Sequence, residues 1–137
     1  MKLNVIIAVL AILWVGMIMG IGMESIVKFN TPTLTKPVAL DVGRTVFGAF
    51  NKAQIGLFIL MAVVAMFAGL SRLDVTLMAV IALTVILQVV WLFPILSQHV
   101  DVVLAGNKPP ANYYHALYGT LEIIKLIGLV LLGIKLL

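Results

Sequence analysis

Four polar or aromatic side chains recur at helical spacing near the end of the chain. His115, Tyr118, Glu122 and Lys125 lie within the stretch "HALYGTLEIIKLIGL". At about 100° per residue they share one helix face, in a stripe roughly 80° wide. Because Glu122 and Lys125 are three residues apart, they can form an ion pair within the helix. The stripe indicates a neutralised pair that fixes packing, a binding site for a polar ligand or, as a third hypothesis, catalysis.

A matching stripe occurs in an earlier segment, "TVFGAFNKAQIGLFIL". Arg44, Asn51 and Gln54 take the same offsets as the histidine, the glutamate and the lysine above, and Phe47 takes the offset of the tyrosine. A pattern that occurs twice predicts an internal repeat of two parallel helix pairs.

Further polar residues are second-tier candidates to join the stripes. Gln88 and Glu24 lie on the other apolar segments, and Lys52 lies about 100° away from its stripe. We expect Lys52 to pair with Glu24 or to extend towards the headgroups. His99 and His115 flank one loop and could bind haem, but their spacing is not a regular metal-ligand pattern.

Several function classes find no support in the sequence. The chain has no H-E-x-x-H, no P-loop, no Ser-His-Asp constellation and no carboxylates paired at catalytic spacing. With no cysteine it has no thiolate metal site and no cysteine nucleophile. The net charge of +4 comes without an aromatic-rich basic patch, which favours lipid headgroups over nucleic acid as its partner. We therefore predict no catalytic residues, no metal and no resident cofactor.

Composition identifies the elements that must position these stripes. Hydrophobic residues make up 64% of the chain and charged residues 10%, and the mean hydropathy is +1.24. Soluble domains carry about 25% charged residues, whereas runs of roughly 20 apolar residues are typical of membrane helices. We predict an all-α membrane protein with one four-helix domain over residues 1–137, arranged as a four-helix bundle. Its helices are expected at about 3–27, 41–70, 74–98 and 112–137.

The bilayer determines which way the stripes face. An ionisable group that faces lipid costs several kcal/mol, so we expect both stripes to point into a shared interior. Counting ~20 residues back from Leu137 places Glu122 and Lys125 in the outer third of the hydrocarbon, which predicts a polar pocket open on the long-loop side. The predicted ligand-binding residues are Arg44, Asn51, Gln54, His115, Tyr118, Glu122 and Lys125.

Glycines indicate where helices approach one another closely. Gly16 and Gly20 form a G-x-x-x-G in the first span, which favours packing inside the chain or a homodimer. Gly48 and Gly119 take equivalent positions in the two stripes, and we expect both at helix contacts.

The distribution of basic residues bears on orientation. The two longer loops and their flanks carry Lys28, Lys36, Arg44 and Lys108, a slight excess over the opposite side. The positive-inside rule therefore favours long loops in the cytoplasm, in a multi-pass protein of a bacterial inner membrane.

Several stretches resemble one family. "LWVGMIMGIGMESIVKFNTPTL", "VFGAFNKAQ", "WLFPIL" and "HALYGTLEIIKLIGL" are similar to transmembrane-protein-205-like membrane domains, a family of unknown function. The resemblance implies four membrane helices and no established enzymatic activity. The positions it singles out are Trp14, Gly16, Pro32, Asn51, Pro94, His115, Gly119 and Glu122.

Three functions remain as hypotheses. The first is a small membrane protein that binds, or helps to transport, a small polar or amphipathic molecule or a lipid headgroup; transport by so short a chain would imply a dimer. The second is a membrane redox protein that binds haem or quinone through His99 or His115. The third is a structural or regulatory subunit, in which the stripes only specify packing.

Overall fold

The computed structural model describes residues 2–137, and within this range every regular element is a helix. The helices are α1 (Leu3–Val27), α2 (Lys36–Phe67), α3 (Arg72–Ile86), α4 (Phe93–Leu104) and α5 (Tyr114–Leu136), with a 3-10 turn at Lys28–Asn30 and a π segment at Leu87–Leu92. Because α3, the π segment and α4 are continuous, they form one span. Four spans are thus long and apolar enough to cross a membrane: Leu3–Asn30, Lys36–Phe67, Arg72–Leu104 and Tyr114–Leu136.

The all-α class and the four apolar helices are therefore confirmed, and they are compatible with an integral membrane protein. The second helix begins at Lys36, ahead of the expected position 41, because Pro37 occupies the first turn, where its missing N–H costs nothing. The third span extends to Leu104, beyond the expected end at 98.

Local signals explain two of the helix ends. At the start of α3, the Ser71 hydroxyl accepts a hydrogen bond from the Asp74 N–H, and the Asp74 carboxylate accepts one from the Ser71 N–H. This reciprocal pair is a capping box. At the end of α4, Gly106 has a φ of 82°, and the N–H groups of Gly106 and Asn107 donate to the carbonyls of Val103 and Val102. Glycine adopts this left-handed conformation without steric cost, so the helix ends there.

The third span changes its helical register at its centre. The Phe93 N–H donates to the Gln88 carbonyl, five residues back, and the following Pro94 has no N–H to donate. The wider turn brings Gln88 and Leu92 into the interior, where both are fully buried. Such single-turn π segments are frequent at functional sites.

The helices pack around a common interior. α1 lies against α2 and α5, α3 packs on α5, and α2 packs on α4. α2 and α5 are not among these closely packed pairs. Long polar side chains of the two helices nevertheless meet in the interior, where Lys125 Nζ lies 2.6 Å from Gln54 Oε1. The largest apolar core residues include Ile7, Trp14, Met61, Ile81 and Leu129.

The outer faces are apolar, as the sequence predicts for the fourth span. Ile123, Ile127 and Leu131 of α5 are each more than half exposed. The expected internal packing of Gly16 and Gly20 is wrong, because no atom of the described chain lies within 4 Å of a Cβ built at either position.

The other two glycines differ from each other. A Cβ at Gly119 also meets nothing within 4 Å, so the expected contact there is wrong as well. At Gly48 a Cβ would lie 3.7 Å from the Phe93 ring, and this glycine does lie at a helix contact.

Candidate functional site

Lys125 occupies the centre of the molecule and has no solvent exposure. Its Nζ lies 2.6 Å from Oε1 of Gln54, 2.7 Å from Oε1 of Gln88 and 3.1 Å from Oε2 of Glu122. The first two contacts are hydrogen bonds, and the third is an ion pair. The charge is paired and hydrogen-bonded, which a buried lysine requires.

Gln88 connects the third span to the fourth. Its Nε2 donates to Glu122 Oε2 at 2.7 Å and to the Tyr118 carbonyl at 3.1 Å, while its Oε1 accepts from Lys125. The π segment brings Gln88 into this position. A glutamine amide can thus join the two charged groups of the ion pair from the opposite helix.

The second span contributes two amides to the same arrangement. Gln54 Oε1 also accepts from the Trp14 indole N–H at 3.3 Å, and Gln54 Nε2 donates to Asn51 Oδ1 at 3.0 Å. The Tyr118 hydroxyl donates to the same Asn51 oxygen at 3.4 Å. All four spans therefore contribute to one set of hydrogen bonds, which we call the central polar network. Its members are Trp14, Asn51, Gln54, Gln88, Tyr118, Glu122 and Lys125.

Aromatic rings enclose this network. The Lys125 ammonium lies 5.5 Å from the centre of the Phe50 ring and 5.9 Å from that of Trp14, within the range of cation–π attraction. The rings of Phe47 and Tyr118 meet edge to face at 5.6 Å. The enclosure excludes solvent and strengthens the electrostatic interactions inside it.

The expected polar pocket does not open at Lys125, because this side chain has no solvent exposure. Lys125 also lies deeper than expected, at the midpoint of α5. Lys135 forms an ion pair with Asp74 at 2.7 Å near the other end of the helix. Ten residues of helix span about 15 Å, half of the ~30 Å thickness of a bilayer's hydrocarbon, so in a bilayer spanned by α5 the position of Lys125 would be near the middle. The ligand-binding role assigned to these residues stays a prediction.

Two of the predicted site residues lie outside the central polar network. Arg44 contacts Asp41 at 2.6 Å and Asp101 at 2.5 Å, and it donates to the Ser97 carbonyl at 3.2 Å. It therefore links α2 to α4 near the long loops. His115 is exposed at the start of α5.

The second-tier candidates do not lie together in the structure either. Glu24 pairs with Lys28 at 3.3 Å, so the expected pairing of Glu24 with Lys52 is wrong. Lys52 is exposed. His99 lies close to the Asn112 amide at 3.4 Å. Only Gln88 of this group joins the central polar network.

Two features were missed by reasoning on residue patterns. Trp14 was singled out only by the family resemblance, and no stripe includes it. The Asp74–Lys135 ion pair joins α3 to α5, and Asp74 is almost completely buried. The sequence "SRLD" at 71–74 carries the capping-box signal that places Asp74. Lys135, the partner of Asp74 near the end of the chain, has no comparable signal in the sequence.

A lateral groove of about 580 Å³ opens between α2 and the third span. Its lining residues are Thr45, Gly48, Ala49, Asn51, Lys52, Ile55, Val89 and Phe93. Asn51 is 4% exposed, and its Nδ2 has no hydrogen-bond partner within residues 2–137. Because Asn51 also belongs to the central polar network, the groove reaches the network at this residue.

Comparisons with known proteins give no relative: no family model, no curated protein and no solved structure matches the chain. The resemblance to transmembrane-protein-205-like domains stays a prediction. Among the described residues, no group of three or more His, Cys, Asp or Glu side chains is placed to hold a metal ion. Haem or quinone binding through His99 or His115 also stays a prediction.

Proposed function

We propose that this protein is a non-enzymatic integral membrane protein that binds an amphipathic molecule entering sideways from the bilayer. The observation that carries the proposal is the lateral groove, which reaches the central polar network at Asn51. The fold we propose is a four-helix bundle of two parallel helix pairs. Transport of the bound molecule would require a dimer.

The chemistry of the groove supports a ligand with both polar and apolar parts. A buried amide N–H without an acceptor costs about 1–3 kcal/mol. Asn51 Nδ2 is such a group, and a small movement of its side chain towards the groove would let a ligand oxygen accept from it. Ile55, Val89 and Phe93 supply apolar walls. Small-molecule sites combine mostly apolar walls with a few polar groups, and this groove has the same make-up.

Three further parts of the proposal concern the setting of the protein. We place it in a bacterial inner membrane with the long loops in the cytoplasm, on the basic residues of those loops. We propose membership of the transmembrane-protein-205-like family, supported by Trp14, Asn51 and Glu122, which all belong to the central polar network. The dimer would form through Gly16 and Gly20, whose open surface admits a second helix.

The proposal is tested by native mass spectrometry of the protein released from nanodiscs made of its host lipids. A Gly48→Leu variant fills the groove, since this glycine lines it. Gly56→Leu is the matched control, because it lies on the same helix with nothing within 4 Å of its Cβ position. We expect wild type and Gly56→Leu to retain one bound amphiphile and Gly48→Leu to lose it, with similar melting temperatures for the two variants. No bound molecule in the wild type, or equal retention in both variants, would refute the proposal.

A second candidate is a structural or regulatory subunit. It is favoured by Lys125, whose buried ammonium group is already held by two hydrogen bonds and one ion pair within the chain. Under this alternative, Glu122→Gln lowers thermal stability but changes neither ligand retention nor any cellular phenotype. If the ligand proposal is correct, Glu122→Gln alters ligand retention, because Glu122 belongs to the network that holds Asn51.

A further inference from the structure

We infer that the ligand of the lateral groove is an anionic lipid whose phosphate oxygens bind at Asn51 and Lys52. The inference rests on the proposed function and adds the charge of the ligand to it. The groove combines one unused donor, one ammonium group and no acidic lining residue.

Asn51 restricts the polar part of the ligand to a hydrogen-bond acceptor. Its Oδ1 already accepts from Gln54 and Tyr118, whereas its Nδ2 has no acceptor within residues 2–137. A ligand group that only donates would leave that Nδ2 unsatisfied. An ester or phosphate oxygen satisfies it.

Lys52 adds a positive charge at the same point of the groove. It follows Asn51 in the chain, lines the groove and takes part in no ion pair among the described residues. The Thr45 hydroxyl also lines the groove, but its proton is already donated to the Asp41 carbonyl at 3.1 Å. No carboxylate side chain lines the groove to neutralise Lys52, so an anion is favoured over a zwitterionic or neutral group.

The depth of these residues matches the position of a lipid phosphate. Tyr118 precedes Lys125 by seven residues and is therefore about 10 Å nearer the long-loop surface. Since the Tyr118 hydroxyl contacts Asn51, the polar end of the groove lies within roughly 5 Å of the edge of the hydrocarbon. Ile55 lies one turn deeper on α2, beside the path of an acyl chain. A phosphate at the edge and a chain pointing inward is the orientation of a lipid in the adjacent leaflet.

The test is lipid competition in nanodiscs that contain equal amounts of phosphatidylglycerol and phosphatidylcholine, read by native mass spectrometry. A basic side chain near the membrane surface favours anionic lipid by about fivefold. We expect the wild type to retain phosphatidylglycerol over phosphatidylcholine by at least this ratio. Lys52→Gln should reduce the ratio to near one, and Lys108→Gln, which removes the same charge from an exposed loop position, should leave it unchanged.

The outcomes separate this inference from the proposed function. If both lipids are retained equally and Gly48→Leu releases both, the groove binds lipid without selecting charge, so the inference is wrong and the proposed function stands. If Lys108→Gln lowers the ratio as much as Lys52→Gln, the preference reflects overall charge and the inference is also wrong. If Gly48→Leu releases neither lipid, both proposals fail.

Discussion

Lys125 and Asn51 belong to one hydrogen-bonded network, yet they differ in how completely their hydrogen bonds are used. Lys125 is fully buried, its ammonium group is held by two hydrogen bonds and an ion pair, and aromatic rings close around it. Asn51 Oδ1 accepts two hydrogen bonds, whereas Asn51 Nδ2 donates none within residues 2–137. The lateral groove reaches this residue. The enclosed part of the network around Lys125, which we call the sealed end, can hold the helices together. Asn51, whose side-chain nitrogen has no acceptor, can take a ligand. Polarity within a membrane helix therefore does not by itself identify a binding site.

The largest effect is expected at the sealed end, for Lys125→Met. The substitution leaves the Glu122 charge without its partner and Gln88 Oε1 without a donor, and breaking a buried pair in this way costs about 3–5 kcal/mol. The free energy of unfolding in mixed micelles measures the loss. Lys52→Met is the control and should stay within about 0.5 kcal/mol of wild type, because Lys52 is exposed. Equal losses in both variants would mean that Lys125 is not enclosed.

A smaller loss is expected for Gly128→Ala. A Cβ at Gly128 would lie 3.2 Å from Cγ1 of Ile81, and overpacking of this kind costs about 1–3 kcal/mol. Gly56→Ala is the matched comparison: nothing outside its own helix backbone lies within 4 Å of its Cβ position, so the change should be neutral or slightly stabilising. Chemical unfolding of the two variants checks the difference. A loss at Gly56 as large as that at Gly128 would place Gly56 inside the packed core.

Trp14→Phe tests the contribution of the first span to the sealed end. The change removes the indole N–H that donates to Gln54 while keeping an aromatic ring near Lys125, so we expect a loss of about 1 kcal/mol. Trp91→Phe is the control, because Trp91 is 41% exposed and should change stability little. An unchanged unfolding free energy for Trp14→Phe would remove the first span from the network.

The smallest effect is expected for the second ion pair of α5. Lys135 is partly exposed whereas Asp74 is buried, so Lys135→Met should cost about 1 kcal/mol, the upper end for exposed ion pairs and well below the loss for a fully buried pair. The same unfolding measurement should show less salt dependence in the variant than in the wild type. A loss as large as that of Lys125→Met would mean that burial does not distinguish the two lysines.

Periodicity and hydropathy were sufficient to predict the helices and the inward direction of most residues of the stripes, but not of Arg44 and His115, which lie outside the interior. Gln54, Tyr118, Glu122 and Lys125 meet in the interior because charge facing lipid is costly. Periodicity fixes the angle of a residue around its helix but not what lies opposite, so it could not show that Gln88 would fill the expected pocket. That position depends on the register change of the π segment, which leaves little trace in the sequence beyond Pro94.

Glycine spacing was also insufficient. G-x-x-x-G shows that a helix can approach closely, but it does not show which helix does so. Gly16 and Gly20 face away from the rest of the chain, whereas Gly128, which belongs to no such motif, is tightly packed. Contacts between distant parts of the chain decide this, as they do for the pair of Asp74 with Lys135.

The most direct test of a shared, sealed interior is a double-mutant cycle between Gln54→Leu on the second span and Lys125→Met on the fourth. Their side chains are 2.6 Å apart, so the unfolding free energies should be non-additive by at least about 1 kcal/mol. Additivity within about 0.5 kcal/mol would show that the two spans act independently, and would contradict the account.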